Sequence, residues 1–248
     1  MREETEYRPK PMVEVGGKPV LWHIMKTFAH HGCNEFVLCL GYKGEIIKEY
    51  FYNFHALNND FTVKLGRDPQ FAVHGSEAAP QWTVTLVDTG REALKGARLK
   101  RAEHYIDGDE FMVAYGDSVA DIDVRKLLEF HRSHGRMATI SGVRPPSRFG
   151  ELLLKNRKVT TFSEKPAASA DVINGGFMVF QKKVLDLLTK EDSCDLEYGL
   201  MQTLARKGEL MAYDHQGQWE CMDTYRDMVH LNKLWEQGQA FWKVWRDE

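Results

Sequence analysis

The chain has 248 residues, 43% of them hydrophobic, and a formal net charge of -3. This is enough apolar material for one large or two small cores, and the charge balance gives no bulk attraction for nucleic acid. No apolar run approaches the roughly 20 residues of a membrane span, and the opening Met-Arg-Glu-Glu-Thr-Glu is charged, without a secretory apolar stretch.

In chain order, the first ordered feature is Arg8-Pro-Lys-Pro-Met12. Its two prolines push their neighbours towards extended backbone, so a stiff, non-helical strap presenting Lys10 is expected. Gly16-Gly17-Lys18-Pro19 makes a second tight turn, and Pro19 starts a helical pattern with Leu21, Ile24, Met25 and Phe28 on one face, ending at Gly32. Glu35 to Leu40 reads as a buried strand and Gly44 to Phe54 as a helix. This alternation argues for βαβ units and a parallel sheet.

Residues 53–81 are the least periodic and hold one expected strand, Phe61 to Leu65. Trp82 to Val87 alternates as a strand and ends in Asp88-Thr89-Gly90. The helical stretch that follows, to about Tyr105, carries Gly96, Arg98, Lys100 and Arg101. Lys100 and Arg101 read as a solvated helix face. Arg98, closer to the loop after a strand, reads as a ligand contact.

The chain is organised around Phe111-Met-Val-Ala-Tyr-Gly-Asp-Ser-Val-Ala-Asp121. The apolar run from Phe111 to Tyr115 predicts a strand buried on both faces, as in a helix-covered parallel sheet. Asp117 then sits just past the strand's carboxyl end, where ligands bind in open α/β sheets. It is placed either as a metal-holding carboxylate or as a helix cap or turn aspartate. Asp121 and Asp123 fit the bland role better, opening an amphipathic stretch from Ile122 to His134.

Met137 to Val143 is a further buried strand. Glu151 to Leu154, Val159 to Phe162 and Ile173 to Phe180 follow as short, closely spaced strands, predicting a mixed or antiparallel patch laid on the parallel sheet. Glu164-Lys165-Pro166 falls at a strand end, and Asn174-Gly175-Gly176 opens a strand with backbone bare enough for close ligand approach. Val184 to Leu188 and Leu196 to Arg206 read as helices, and Glu209 to Tyr213 and Gln218 to Met222 as strands. Asp223 ends the last of these and, like Asp117, reads as a metal ligand or as the cap of the next helix. The Trp-rich tail (Trp235, Trp242, Trp245) is expected to dock on the body or on another subunit.

The four cysteines, Cys33, Cys39, Cys194 and Cys221, have no zinc spacing and read as free thiols in a reducing cytoplasm. His23 and His30-His31 read as surface or packing residues. What remains is two acids, Asp117 and Asp223, two lysines beside prolines, Lys10 and Lys165, one arginine and an Asn-Gly-Gly edge. A metal with cations and no protein nucleophile suits phosphoryl or nucleotidyl transfer, in which the substrates bring the nucleophile.

Several segments carry a resemblance. They are Arg8-Pro-Lys-Pro-Met-Val-Glu-Val-Gly-Gly-Lys-Pro19, Leu21-Trp-His-Ile-Met-Lys26, Gly41-Tyr-Lys-Gly44, Val84-Thr-Leu-Val-Asp-Thr-Gly90 and Arg98-Leu-Lys-Arg101. Further on come Tyr115-Gly-Asp117, Arg148-Phe-Gly150, Glu164-Lys-Pro166, Ile173-Asn-Gly-Gly-Phe177 and Met222-Asp-Thr224. In this order they resemble the glucose-1-phosphate cytidylyltransferases, within the sugar-1-phosphate nucleotidyltransferases. The resemblance implies a Rossmann-like α/β fold, mostly parallel with a smaller mixed β region. It also implies one domain over 1–248, with a nucleotide-binding part to residue 145 and a sugar-binding and C-terminal part from 146.

The implied reaction is CTP with α-D-glucose 1-phosphate giving CDP-glucose and pyrophosphate. Asp117 and Asp223 would hold Mg²⁺, and Lys10 and Lys165 would neutralise phosphates. Gly90 and Arg98 would line the nucleotide site, and Glu164, Asn174 and Gly175 would face the sugar. The product would feed the deoxysugars of surface polysaccharides. The implied partners are the two substrates and further copies in a homo-oligomer, with neither nucleic acid nor membrane.

The family pattern also places a buried strand and a glycine-rich phosphate loop ahead of Arg2-Glu-Glu-Thr5, and the sequence carries neither. Two expectations follow: a reading frame opened late, with Met1 standing where the motif has Leu, or a shortened relative that binds sugar nucleotide without turnover. Use of UTP or dTTP is a third alternative. Ser118 and Ala97 stand where the pattern has glycine, and each is expected to add a side chain near the nucleotide.

Overall fold

Short apolar runs and amphipathic stretches fold as the strands and helices their periods predict, and the departures from that reading bear on the site. The computed structural model describes residues 2–74, 80–146, 149–164 and 171–246. Helix α1 (Arg2–Thr5) and a 3₁₀ turn at Lys10–Met12 lead into a small hairpin of β1 (Glu14–Val15) and β2 (Lys18–Pro19). Helix α2 (Val20–His30), β3 (Glu35–Leu40), α3 (Gly44–Tyr52) and α4 (Phe54–Asn58) come next, then a hairpin of β4 (Asp60–Lys64) and β5 (Gln70–His74). The middle of the chain gives β6 (Thr83–Asp88), α5 (Lys95–Ala102), β7 (Glu110–Ala114), β8 (Ser118–Ala120), α6 (Val124–His134) and β9 (Ala138–Val143). A third hairpin, β10 (Glu151–Lys155) and β11 (Lys158–Ser163), precedes β12 (Ile173–Gln181). A π-helical turn (Leu196–Met201) runs into α7 (Gln202–Arg206), and β13 (Leu210–Asp214), β14 (Trp219–Cys221) and α8 (Tyr225–Glu236) complete the set.

The main sheet has the order β13-β9-β12-β7. β13 and β9 are parallel, while β12 runs antiparallel to both its neighbours. This corrects the expected patch: Ile173 to Phe180 lies in the middle of the main sheet, and β10 and β11 pair only with each other among the described residues. The burial explains the placement, because Gly175 through Phe180 are all buried whereas β10 and β11 are almost wholly exposed. A second correction concerns Arg8–Met12. Lys10–Met12 forms a single 3₁₀ turn, since proline's fixed φ suits a first helical turn and its missing N–H is not needed there. The strand β5 was not expected either, although Gly66 and Pro69 between two apolar runs are turn signals.

Helix α2 turns Val20, Ile24 and Phe28 into a core shared with Val119, Ile122, Phe177 and Trp242. The C-terminal tail docks on this body. Trp242 is fully buried, and its indole Nε1 donates to His23 Nδ1 at 3.3 Å, while His23 Nε2 lies 2.7 Å from the Val15 carbonyl. Burial pushes the His23 imidazole down to about 4, so it is a neutral packing residue.

A third difference is structural in its consequences. β3 pairs in parallel with β6 on one edge, and β7 pairs with β12 on one edge; among the described residues neither has a partner on its other edge. Between them lies a cleft of about 740 Å³ lined by Phe36, Leu38, Met112 and Ala114, reaching Arg98 and Asp117. Both strands are therefore only half-buried over most of their length, where their apolar runs predict full burial.

Candidate active site

Two strand ends supply the acids of the site. Asp117 follows β7 through Tyr115-Gly116, and Asp223 follows β14. The pairing of β8 with β14, with Met222 N donating to the Asp117 carbonyl at 2.8 Å, brings the two acids together. Gly116 matters here because a Cβ at this position would lie 2.8 Å from Pro11 Cγ, so only a bare backbone lets the proline turn settle on it. That turn carries Lys10 over the strand ends, where its Nζ donates to Asp117 Oδ2 at 2.8 Å and to Asp223 Oδ1 at 2.5 Å.

Neither acid is a helix cap. The cap of α8 is Thr224, in a reciprocal capping box with Asp227, and the cap of α6 is Asp123, whose carboxylate accepts from Arg125 N and Lys126 N. Asp121 accepts from Gln218 N at 2.8 Å. The bland roles thus fall to Asp121 and Asp123.

Burial alone would lower the Lys10 amine, but its hydrogen bonds to Asp117 and Asp223 and the Asp117 charge outweigh that and hold it above its ordinary value. Lys10 is a charged ammonium between two carboxylates, which leaves the cluster with an excess negative charge. Cys221 completes a group with Asp117 and Asp223 in which one ligand atom from each lies within 4.8 Å of the others. The sequence reading missed Cys221. Its spacing could have found it, since residues two apart in extended chain share a face. Burial, together with the two acids, pushes its thiol up to about 12, so it stays neutral. A hard, oxygen-seeking divalent cation fits this donor set through the two carboxylates, with the thiol beside it rather than on it.

Arg98 also lines the cleft, and it is tied to the residues that flank Gly90. The Arg98 guanidinium lies over Gly41 and donates to Thr89 Oγ1 at 3.1 Å and to the Arg91 carbonyl at 3.2 Å. Gly90 has a left-handed φ of 94° and its N–H donates to Asp88 Oδ1 at 3.1 Å. Arg101, expected on a solvated face, instead donates to the Thr89 carbonyl at 2.8 Å and pairs with Asp192 at 2.8 Å. It anchors the Gly90 turn. Ala97 and Ser118 are buried, so neither adds an exposed side chain to the cleft.

Asn174 and Gly175 open β12, which is tied to its neighbours beside the cluster. Gly175's carbonyl accepts from Trp219 Nε1 at 2.7 Å, and Tyr115 N donates to the Gly176 carbonyl at 3.1 Å. A Cβ on Gly175 would lie 2.5 Å from Val143 Cγ1, which explains the glycine. The register of β12 against β9 shifts between Asn174 and Met178, and this bulge re-aims the edge. Glu164 follows β11 with its carboxylate beside Gly150, at the base of the β10–β11 hairpin. Lys165, Pro166 and Arg148 lie outside the described residues.

This geometry can be set beside known proteins. A sequence profile described as nucleotidyl transferase matches residues 4–238. The chain is 47% identical over 246 residues to the glucose-1-phosphate cytidylyltransferase of Salmonella typhimurium, covering 99% of this chain and 95% of that one. It is 41% identical over 245 residues to the probable glucose-1-phosphate cytidylyltransferase of Bacillus subtilis, covering 99% and 95%. HddC from Yersinia pseudotuberculosis, solved in complex with GMP-PN, shares the fold with a TM-score of 0.64 at 22% identity, over 92% of this chain and 90% of that one. The chain belongs to the nucleotidyl transferase family, in its glucose-1-phosphate cytidylyltransferase branch, and has the nucleotide-diphospho-sugar transferase fold.

Proposed function

We propose that the chain transfers a cytidylyl group from CTP to α-D-glucose 1-phosphate, giving CDP-glucose and pyrophosphate. The observation that carries this reading is Lys10 bridging Asp117 and Asp223 at the carboxyl ends of strands. A phosphate oxygen of the sugar attacks the α-phosphorus, and the bond to the pyrophosphate oxygen breaks. Lys10, free to turn from carboxylate to phosphate, neutralises charge on the triphosphate; Lys165 does so on the sugar phosphate. Asp117 and Asp223 hold Mg²⁺, which when bound offsets the charge of the phosphates. Arg98, already fastened to Thr89 and Arg91, walls the nucleotide side with Gly90. Glu164, Asn174 and Gly175 face the sugar. The branch of the family supports cytidine over uridine or thymidine, and CDP-glucose would supply the deoxysugars of surface polysaccharides.

Among the described residues β3 and β7 each pair on one edge, which favours a second reading, in which the chain binds sugar nucleotide without turning it over. Pyrophosphate release with Mg²⁺, glucose 1-phosphate and CTP, UTP or dTTP separates the two. Release with CTP above the other triphosphates is expected. None from a folded sample would sink the catalytic reading. A homo-oligomer belongs to the same proposal, supported by apolar residues exposed on both hairpins, among them Phe61, Phe71, Leu153 and Phe162.

A further inference from the structure

The cations on and beside the cleft are held to different degrees. Lys10 is gripped by two carboxylates, and Arg98 by the Thr89 hydroxyl and the Arg91 carbonyl. Lys95 opens α5 three residues before Arg98, so the two share a helix face, and both line the cleft together with Tyr115 and Asp117. Its amine pairs with Glu197 Oε1 and lies 4.5 Å above the centre of the Tyr115 ring. The Lys95 side chain is 51% exposed, against 26% for Lys10.

The base of this side chain is fixed while its tip is not. Leu94 N donates to the Asp192 carbonyl at 2.9 Å and Ala97 N to the Cys194 carbonyl at 3.0 Å, which fastens the backbone on both sides of Lys95. Gly96 lets the start of the helix lie against Cys194, whose carbonyl oxygen would be 2.8 Å from a Cβ there. The ammonium therefore moves on a flexible stem from a rigid anchor. Leaving Glu197 costs little, because water and salt screen a half-exposed ion pair. Nor does the carboxylate lose its last partner. The Tyr115 hydroxyl donates to the same Glu197 oxygen and can go on doing so when the amine departs. A phosphate, with more charge and several acceptor oxygens, competes well for such an ammonium.

We propose that Lys95 is a phosphate-binding residue of the cleft, released from Glu197 when the phosphate chain of a nucleoside triphosphate enters. The proposal rests on the nucleotidyl-transfer reading for the identity of the ligand. Inorganic pyrophosphate probes the lysine without that reading.

The two partners are then expected to act in opposite directions, which a merely structural ion pair does not do. Calorimetric titration of the full chain with CTP, cytidine and pyrophosphate reads both. Lys95→Met should weaken CTP and pyrophosphate about tenfold and leave cytidine within about twofold of wild type. Lys95→Arg keeps the charge and should stay within about threefold. Glu197→Gln should tighten CTP about threefold, since its amide carbonyl still accepts from Tyr115 but no longer competes as a charge. That gain should vanish when Lys95→Met is also present.

Weaker CTP binding in both Lys95→Met and Glu197→Gln would overturn the proposal, as would unchanged CTP affinity in Lys95→Met. Equal weakening of cytidine would overturn the assignment to phosphate. A gain from Glu197→Gln that persisted without Lys95 would trace it to bulk charge and overturn the competition. If wild type bound no CTP while pyrophosphate still weakened in Lys95→Met, the nucleotide reading would fall and the phosphate contact at Lys95 would stand.

Discussion

The two sides of the cleft are built to different degrees of closure. β12 has a strand on each edge, and Gly175 through Phe180 are buried without a break. β3 and β7 each have a partner on one edge, and most of their residues remain half-exposed. Side-chain character is similar in the three strands; pairing is not. The β12 side is therefore already braced, by Trp219 on Gly175 and Tyr115 on Gly176. The other side depends on Lys10 bridging Asp117 and Asp223 and on Arg98 tying Thr89 to Arg91.

The largest expected effect breaks the Lys10 bridge. Lys10→Met should lower pyrophosphate release by about 10²–10³-fold, the scale of losing one preorganised charged donor. It should also tighten Mn²⁺ binding measured without substrate, because two carboxylates then face each other with no ammonium between them. The opposite signs are the test. If turnover and cation affinity fell together, Lys10 would be holding the site's shape rather than answering phosphate.

Much of this contrast was legible in the residues and some was not. The apolar runs of β3, β7 and β9 and the alternation of β6 gave the strands, and Gly116 ahead of Asp117 gave the place for an acid. An apolar run reports what a side chain prefers and not which edge will be paired, so the half-exposure of β3 and β7 was hidden. The position of β12 was hidden for the same reason, because its two partners are fixed by long-range pairing. Lys10 and its acids are separated by 107 and 213 positions, and only the family resemblance joined them. Tyr115 and Glu197, 82 positions apart, had no such help. Arg101 looked solvated because a local pattern cannot show Lys190 and Asp192 waiting across the turn.

The next effect probes the closed side, at the docked tail. His23 accepts from Trp242 at Nδ1, so protonation there would set two N–H groups against each other in a buried site. Its folded value, about 4, lies below the unfolded 6.5. The unfolded chain therefore binds more protons between these values, and stability is lost as pH falls from 6.5 towards 4. The loss is on the order of 3 kcal/mol for a shift of this size. Urea unfolding across that range should show it, and His23→Gln should flatten the slope. An unchanged slope would place the sensitivity in another group, such as His31 or His131, both also lowered by burial.

The smallest effect belongs to the most open parts, the two hairpins. Leu153 and Phe162 are 58% and 63% exposed on β10 and β11, and among the described residues neither strand joins the main sheet. Replacing Leu153 with Ser removes little burial, so urea unfolding of a dilute sample should shift by less than about 0.5 kcal/mol. Sedimentation at higher concentration reads the other half of the argument. A second copy seated on the hairpin would make the same substitution weaken self-association while leaving the dilute chain as stable as before. A large loss in the dilute sample would mean that the hairpin packs on its own body, and the contrast between a closed and an open side would have been drawn in the wrong place.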